Sequence, residues 1–198
     1  MTRTVGIVLF PVFEELDAVG PFEVFGALAD LDPTWRVVTV AEAGGTVAGA
    51  HGLEVTADHT FEDCPPLDVV LVPGGFGTRK EMENPRMLDF IRHAAQTASY
   101  VTSVCTGALV LHKAGFLAGR KATTHWGAID LLRRLGHVEI VKERYVQDGN
   151  IITSAGVSAG IDMALYLVSL LTDRQTAQNV QQMMEYYPQP PSLEEVRA

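Results

Sequence analysis

Cysteine is scarce in this chain. Cys64 and Cys105 are far apart and neither sits in a Cys-x-x-Cys pair, which excludes a disulfide framework and fits a reducing cytoplasm. Positive charge is also short: 15 lysines and arginines stand against 24 acids, for a net charge of −9. No basic cluster is longer than Arg133-Arg134, so the footprint expected of a nucleic-acid binder is missing. Long apolar runs are absent too. The run Val5 to Phe10 stops at Pro11 and is too short for a signal-peptide core, and no stretch reaches the ~18 residues a membrane helix needs. No glycine fingerprint for a nucleotide is present, and no His, Asp, Glu or Cys spacing reads as a metal site. The expectation is a cytoplasmic chain with no cofactor, no metal, no nucleic acid and no membrane. At 198 residues it fits one domain, since a single core serves up to ~250 residues.

What is present is an alternation of apolar strands and helices. Val5 to Phe10, Arg36 to Ala41, Leu67 to Val72 and Tyr100 to Val104 are continuous apolar runs, as expected of strands covered on both faces. Gly20-Pro21 followed by Glu23 reads as a helix start, with Phe22, Phe25, Leu28 and Ala29 as its buried face. That reading leaves Asp17 in the loop before the helix. Gly44 to His59 reads as a hairpin excursion. Asn84-Pro85 caps a helix whose apolar face is Leu88, Ile91, Ala95 and Ala98. A further helix begins near Trp126, uses Ile129, Leu132 and Leu135, and stops at Gly136. Val138 to Val141 and Arg144 to Val146 follow as strands, and Asp148-Gly149 turns the chain into Ile151-Ile152-Thr153. Ser158 to Leu171 and Arg174 to Tyr187 read as helices, and residues 188–198 as an extended tail. Such alternation predicts one mostly parallel sheet with helices on both faces, a flavodoxin-like three-layer α/β sandwich.

The stretch Tyr100 to Leu111 has a particular shape. An apolar strand turns at Cys105 and continues, after Thr106, Gly107 and Ala108, as an apolar helix. A strand–nucleophile–helix elbow places one side chain at a helix N-terminus, where free N–H groups and the dipole favour an anion. For cysteine that anion is the reactive thiolate. The dipole is worth at most ~2 kcal/mol, so the helix alone lowers the thiol pKa by roughly one unit. The plain alternative is a buried cysteine acting as inert filling.

In open parallel sheets, sites form at the carboxyl ends of the strands. Three loops arrive there: Phe13 to Asp17, Pro73 to Gly77, and Val104 to Thr106. They bring an acid, a glycine-rich backbone and a thiol to one edge. The N–H groups near Gly74, Gly75 and Thr106 are candidates for an anion-stabilising hole. Phe76, Thr78, Trp126 and Val157 are candidate pocket walls.

Leu16-Asp17-x-x-Gly20-Pro21-x-Glu23-Val24-Phe25, Pro73-Gly74-Gly75-Phe76-Gly77, Val104-Cys105-Thr106-Gly107-Ala108, Thr123-Thr124-His125-Trp126 and Thr153 to Gly160 together resemble the ThiJ/PfpI superfamily, of the class I glutamine amidotransferase-like fold. The resemblance runs from Val5 to about Tyr187. Within it the chain is most similar to the isonitrile hydratase branch and to sensor domains of AraC-type regulators. The resemblance implies Cys105 as nucleophile, with Asp17 and Thr106 beside it, in a homodimer that hydrates a small-molecule isonitrile to an N-substituted formamide. Two anions in one pocket would titrate as a coupled pair. Glu14 and Glu15 lie in the same loop and rival Asp17 as the acid, since other branches set a glutamate against the cysteine. Peptidase-like members carry histidine directly after the cysteine, and Thr106 stands here instead. His125 is expected to line the pocket, its strand lying beside the elbow strand in the family fold.

Gly156-Val157-Ser158-Ala159-Gly160 imitates the Gly-x-Ser-x-Gly elbow of α/β-hydrolases. Those need a histidine after the serine, and the last histidine here is His137. Small residues for close strand–helix packing are the expected meaning. His51, His59, His93 and His112 read as surface or loop groups, and Cys64 as incidental. An AraC-type regulator carries a helix-turn-helix domain after its sensor, and the residues after Tyr187 leave no room for one. A redox-responsive module, in which Cys105 is reversibly oxidised, remains a third reading.

Overall fold

The computed structural model describes residues 2–188. The extended tail expected from residue 188 falls almost wholly on 189–198, outside the described residues. Seven strands form the central sheet: β1 (Arg3–Leu9), β2 (Trp35–Ala41), β5 (His59–Thr60), β6 (Val69–Val72), β7 (Tyr100–Val104), β10 (Tyr145–Asp148) and β11 (Ile151–Ser154). Their order is β10-β11-β7-β6-β1-β2-β5. Every neighbouring pair is parallel except β10 and β11, which the Asp148-Gly149 turn joins as a hairpin. β3 (Thr46–Ala48) and β4 (Glu54–Thr56) make a separate antiparallel pair, the expected excursion. β6 and β7 are buried at almost every position, as strands covered on both faces must be.

The helices are α1 (Glu15–Leu31), α2 (Thr78–Glu81), α3 (Pro85–Ala94), α4 (Gly107–Lys113), α5 (Ile129–Leu135), α6 (Ala159–Leu171) and α7 (Arg174–Met183). α1, α6 and α7 pack on one another, and α4 packs among α2, α3 and α5, which gives the two outer layers of the flavodoxin-like sandwich. After β1 the chain moves outward to β2 and β5, then returns to lay β6 on the other side of β1. That reversal creates a crevice at the carboxyl ends of β1 and β6, the place where such sheets hold their sites. No described helix is long and apolar enough to cross a membrane.

Local signals landed well where they depend on neighbouring residues. The Asn84 side chain accepts the Arg86 N–H, with Pro85 in the first turn of α3, and Gly136 ends α5 at a φ of 81°. Three expectations are corrected. α1 begins at Glu15, so Pro21 lies inside it and Asp17 in its first turn. Pro21 lacks the N–H that would bond the Asp17 carbonyl, yet the segment stays helical where it packs on α6: a Cβ on Gly20 would approach Ile161 to 2.9 Å, and one on Gly160 would meet Pro21 at 3.5 Å. The buried face of α1 keeps Phe25 and Leu28, but Phe22 is exposed. On α3 the face turns to Met87, Phe90, Ile91 and Ala94, leaving Leu88 and Ala95 half-buried.

β8 (Arg120–Ala122) does not lie beside the elbow strand. It pairs with β9 (Val138–Ile140), and β11 takes the place next to β7. The residues after β8 still reach the elbow: the Thr123 N–H donates to Thr153 Oγ1 at 2.9 Å, and Thr124 Oγ1 donates to the Cys105 carbonyl at 2.8 Å.

Candidate active site

Cys105 stands between β7 and α4 with a φ of 56°, a left-handed conformation that a non-glycine residue holds only where its surroundings enforce it. Its N–H reaches the carbonyls of Ser154 and Ala155, both at 3.1 Å, and its own carbonyl accepts Thr124. The elbow is therefore clamped from the β11 side. Only 6% of Cys105 is exposed, and Asp17 is fully buried.

Gly74 is the point where the three loops meet. A Cβ built on it would lie 2.6 Å from the Thr106 N, 2.7 Å from Asp17 Oδ2 and 2.7 Å from Cys105 Cβ. Any side chain there would displace the reactive groups, so glycine is required by close approach. The Gly74 N–H donates to Asp17 Oδ2 at 2.9 Å, while Asp17 Oδ1 has no hydrogen-bond partner among the described residues. Gly75, at a φ of 115°, donates its N–H to Thr106 Oγ1 at 3.0 Å. Both glycine N–H groups are thus committed to site side chains and are not free donors of an anion hole. The Thr106 hydroxyl in turn donates to the Gly75 carbonyl at 3.0 Å.

Burial decides the electrostatics. It pushes the Asp17 carboxyl up to about 7, although the Gly74 N–H favours the charged form. It pushes the Cys105 thiol up to about 12, and the negative charge of Asp17 adds to this against the pull of Thr106. The lowering expected from the helix N-terminus is therefore reversed: a dipole worth at most ~2 kcal/mol loses to desolvation of a buried anion next to a carboxylate.

Glu15, two residues before Asp17, points elsewhere. Its Oε2 lies 2.7 Å from His51 Nδ1, across the β3–β4 hairpin tip. Glu14, Glu15 and His51 bring their ligand atoms within 4.8 Å of one another, a grouping hidden in the sequence because His51 is remote in the chain. His125 accepts the Gly127 N–H at 3.1 Å and, with Trp126, Ile129 and Val157, lines a cavity of about 470 Å³ beside the elbow. Trp126, 73% exposed, forms a rim of this cavity, and Phe76, expected in the wall, is 78% exposed and does not line it. Thr78, expected in the wall, is fully buried beneath Thr106. The small residues after β11 do serve packing: a Cβ on Gly156 would sit 2.3 Å from the His125 ring, and one on Gly160 would reach Val104 at 3.0 Å. His112 is neither a loop nor a surface group: it lies in α4, half-buried, with its Nε2 2.7 Å from the Gly136 carbonyl. Cys64 is half-buried, its Sγ near the Pro65 carbonyl.

A buried thiol at a strand–helix elbow, facing a carboxyl from the first strand's helix across a glycine loop, defines a flavodoxin-like α/β protein of the cysteine-elbow class. The chain belongs to the DJ-1/PfpI family, whose profile matches residues 3–170. It is 47% identical over 193 residues to an isonitrile hydratase of Pseudomonas putida, covering 96% of this chain and 82% of that protein. It is 33% identical to the HTH-type transcriptional regulator CdhR of Pseudomonas aeruginosa, covering 81% of this chain but 47% of the regulator. A crystal structure of a ThiJ/PfpI family protein from Pseudomonas syringae superposes with a TM-score of 0.89 at 37% identity, covering 96% of this chain and 78% of that one.

Proposed function

We propose that the protein is a cofactor-free isonitrile hydratase, a hydro-lyase in which Cys105 is the nucleophile and Asp17 the general acid. The observation that carries this reading is the pairing, across Gly74, of a thiol with a carboxyl whose pKa burial lifts to about 7. The likeness to the Pseudomonas putida hydratase supports it.

An isonitrile carbon takes a proton and then a nucleophile on the same atom. Asp17 Oδ2 is occupied as an acceptor of the Gly74 N–H, so the acidic proton rides on the unpartnered Oδ1. That proton passes to the isonitrile carbon, and the sulfur of Cys105 bonds to the same carbon. The thiol proton returns to Asp17 Oδ1, giving a thioimidate, R–N=CH–S–Cys105, and a recharged acid. Water, held by the Thr106 hydroxyl, then adds to the carbon while the nitrogen is protonated. Collapse breaks the C–S bond and releases R–NH–CHO and the free thiol. A thiol kept neutral at rest suits this order, because the anion develops only as the substrate carbon becomes electrophilic. It suits a peroxide sensor less well, since oxidation follows thiolate character and exposure.

Leu16, Val19 and Phe22 are exposed along one side of α1. This stripe, exposed among the described residues, supports a homodimer, and size-exclusion chromatography with light scattering would report a single-protomer mass if that assignment is wrong. The test of function is direct. The protein is incubated with a small alkyl isonitrile and N-alkylformamide is measured by mass spectrometry. Formamide from the wild type but not from Cys105→Ala is expected. Its absence from the wild type would move the assignment to a non-catalytic ligand-sensing module.

A further inference from the structure

The cavity of about 470 Å³ beside the elbow is built onto the Cys105 backbone from two sides. Thr124, on one wall, donates its hydroxyl to the Cys105 carbonyl at 2.8 Å, and Ala155, on the other, accepts the Cys105 N–H at 3.1 Å. Trp126, Ile129, Gly156 and Val157 continue these walls. The volume falls within the ~300–1,000 Å³ of small-molecule pockets. An isonitrile is linear through its carbon, its nitrogen and the first atom of its substituent. Whatever the nitrogen carries therefore extends away from the sulfur and needs room of its own beside the elbow.

Val157 is the odd residue of that wall. Its φ is 51°, in the left-handed region where a β-branched residue is an outlier with a steric cost. Glycine takes this conformation freely, and Gly156 stands directly before it. Gly156 does not have a positive φ; it is needed instead because a Cβ there would lie 2.3 Å from the His125 ring. The turn thus uses its glycine for packing and holds its left-handed position with valine. The Val157 carbonyl accepts the Gly160 N–H at 3.2 Å at the start of α6, a bond that any residue type would make. The backbone gains nothing from valine here. What valine adds is an isopropyl group on the cavity wall.

We propose that Val157 is a specificity-determining residue: the cavity takes the apolar group on the isonitrile nitrogen, and the Val157 side chain limits its bulk. This rests on the hydratase reading and deepens it. Val12 gives the contrast. It too is a valine in left-handed backbone, at a φ of 62° in the loop after β1, but it is 44% exposed and does not line this cavity.

The experiment compares kcat/KM for ethyl isonitrile and adamantyl isonitrile, with formamide measured by mass spectrometry. One methylene in a hydrophobic pocket changes discrimination about 10–200-fold. Val157→Ala should therefore raise the adamantyl-to-ethyl ratio about tenfold, and Val157→Leu should lower it about tenfold. Val157→Thr keeps the shape and should hold the ratio within about twofold, as should Val12→Ala. A merely structural role for the strained turn would slow both substrates equally in Val157→Ala. That unchanged ratio would overturn the proposal.

A binding arm separates the cavity from the chemistry. In the Cys105→Ala protein, N-ethylformamide and N-adamantylformamide are titrated against the fluorescence of Trp126, Trp35 being buried in the core. Adding Val157→Ala should shift the ratio of their affinities about tenfold toward the adamantyl compound. If the wild type forms no formamide while this shift is seen, the hydratase reading falls and the cavity assignment stands. An affinity ratio that Val157→Ala leaves unchanged would overturn the cavity assignment even where turnover is found.

Discussion

Two carboxylates in the first turn of α1, two residues apart, have opposite fates. Asp17 faces the sheet crevice, where burial raises its pKa to about 7. Glu15 faces the β3–β4 hairpin. There partial burial works to raise its pKa, but the hydrogen bonds and charge of His51 outweigh it and hold the group below the usual carboxylate range. One turn of helix thus carries an acid held as a proton donor and an acid held as an anion. The same residue chemistry yields opposite pKa shifts because of what each side chain meets: burial beside a single Gly74 N–H on one side, a histidine on the other. Proximity in sequence did not decide which acid meets Cys105; direction from the helix did.

Removing the thiol should break the buried side most completely, with Cys105→Ala lowering formamide formation by at least about 10⁴-fold in a mass-spectrometric assay. Asp17→Asn should slow turnover about 10²–10⁴-fold while stabilising the fold at pH 8. The sign follows from linkage. The Asp17 pKa is higher in the folded chain than the ordinary 3.8, so its favourable contribution is complete below that value and is lost as pH rises through about 7. Denaturant unfolding should show the Asn variant ahead by on the order of 2–4 kcal/mol at pH 8, with the gap closing as pH falls from 7 toward 4. A gap that does not depend on pH would refute the burial argument.

Gly74→Ala tests the meeting point between thiol and acid. Its Cβ would fall within 2.7 Å of all three site groups, so a loss of about 1–3 kcal/mol in stability and about 10²-fold in turnover is expected from calorimetry and kinetics. The Glu15 side, away from the thiol, should be nearly silent. Glu15→Gln should leave turnover within about twofold and cost less than about 1 kcal/mol. It should also let the His51 pKa, now raised by its hydrogen bond to Glu15 and by the charges of Glu15 and Glu14, fall toward its ordinary value, as proton NMR would report.

The sheet, the elbow and the order of the loops were legible because each rests on local signals: apolar runs, the Asn84-Pro85 cap, the Asp148-Gly149 turn and the Gly136 stop. The start of α1 was hidden. Glu14 caps it without a side-chain hydrogen bond, and Gly20-Pro21 imitates a helix start while in fact packing inside one. Burial in α1 also falls on Asp17, Ala18, Gly20 and Pro21 as well as on the apolar residues, which blurs any periodic stripe. At the candidate site, the convergence of Cys105, Asp17 and Thr106 was readable from the three loops and the family resemblance. The His51–Glu15 pair, the commitment of the Gly74 and Gly75 N–H groups, and the place of Thr78 were not. Each depends on a contact between segments far apart in the chain, and no local pattern encodes it. The direction of the thiol shift was misjudged for a related reason: the helix N-terminus is visible in sequence, whereas the burial that overrides it is a property of the packed crevice.

The most direct measurement is a carbon-13 NMR titration of the side-chain carboxyls in the full chain, with Asp17 assigned by its loss in Asp17→Asn. The account predicts that Asp17 titrates near 7 while Glu15 stays ionised to below the usual carboxylate range. An Asp17 that titrates near 4, like an ordinary solvated aspartate, would contradict it, because no neutral acid would then stand beside Cys105 at neutral pH.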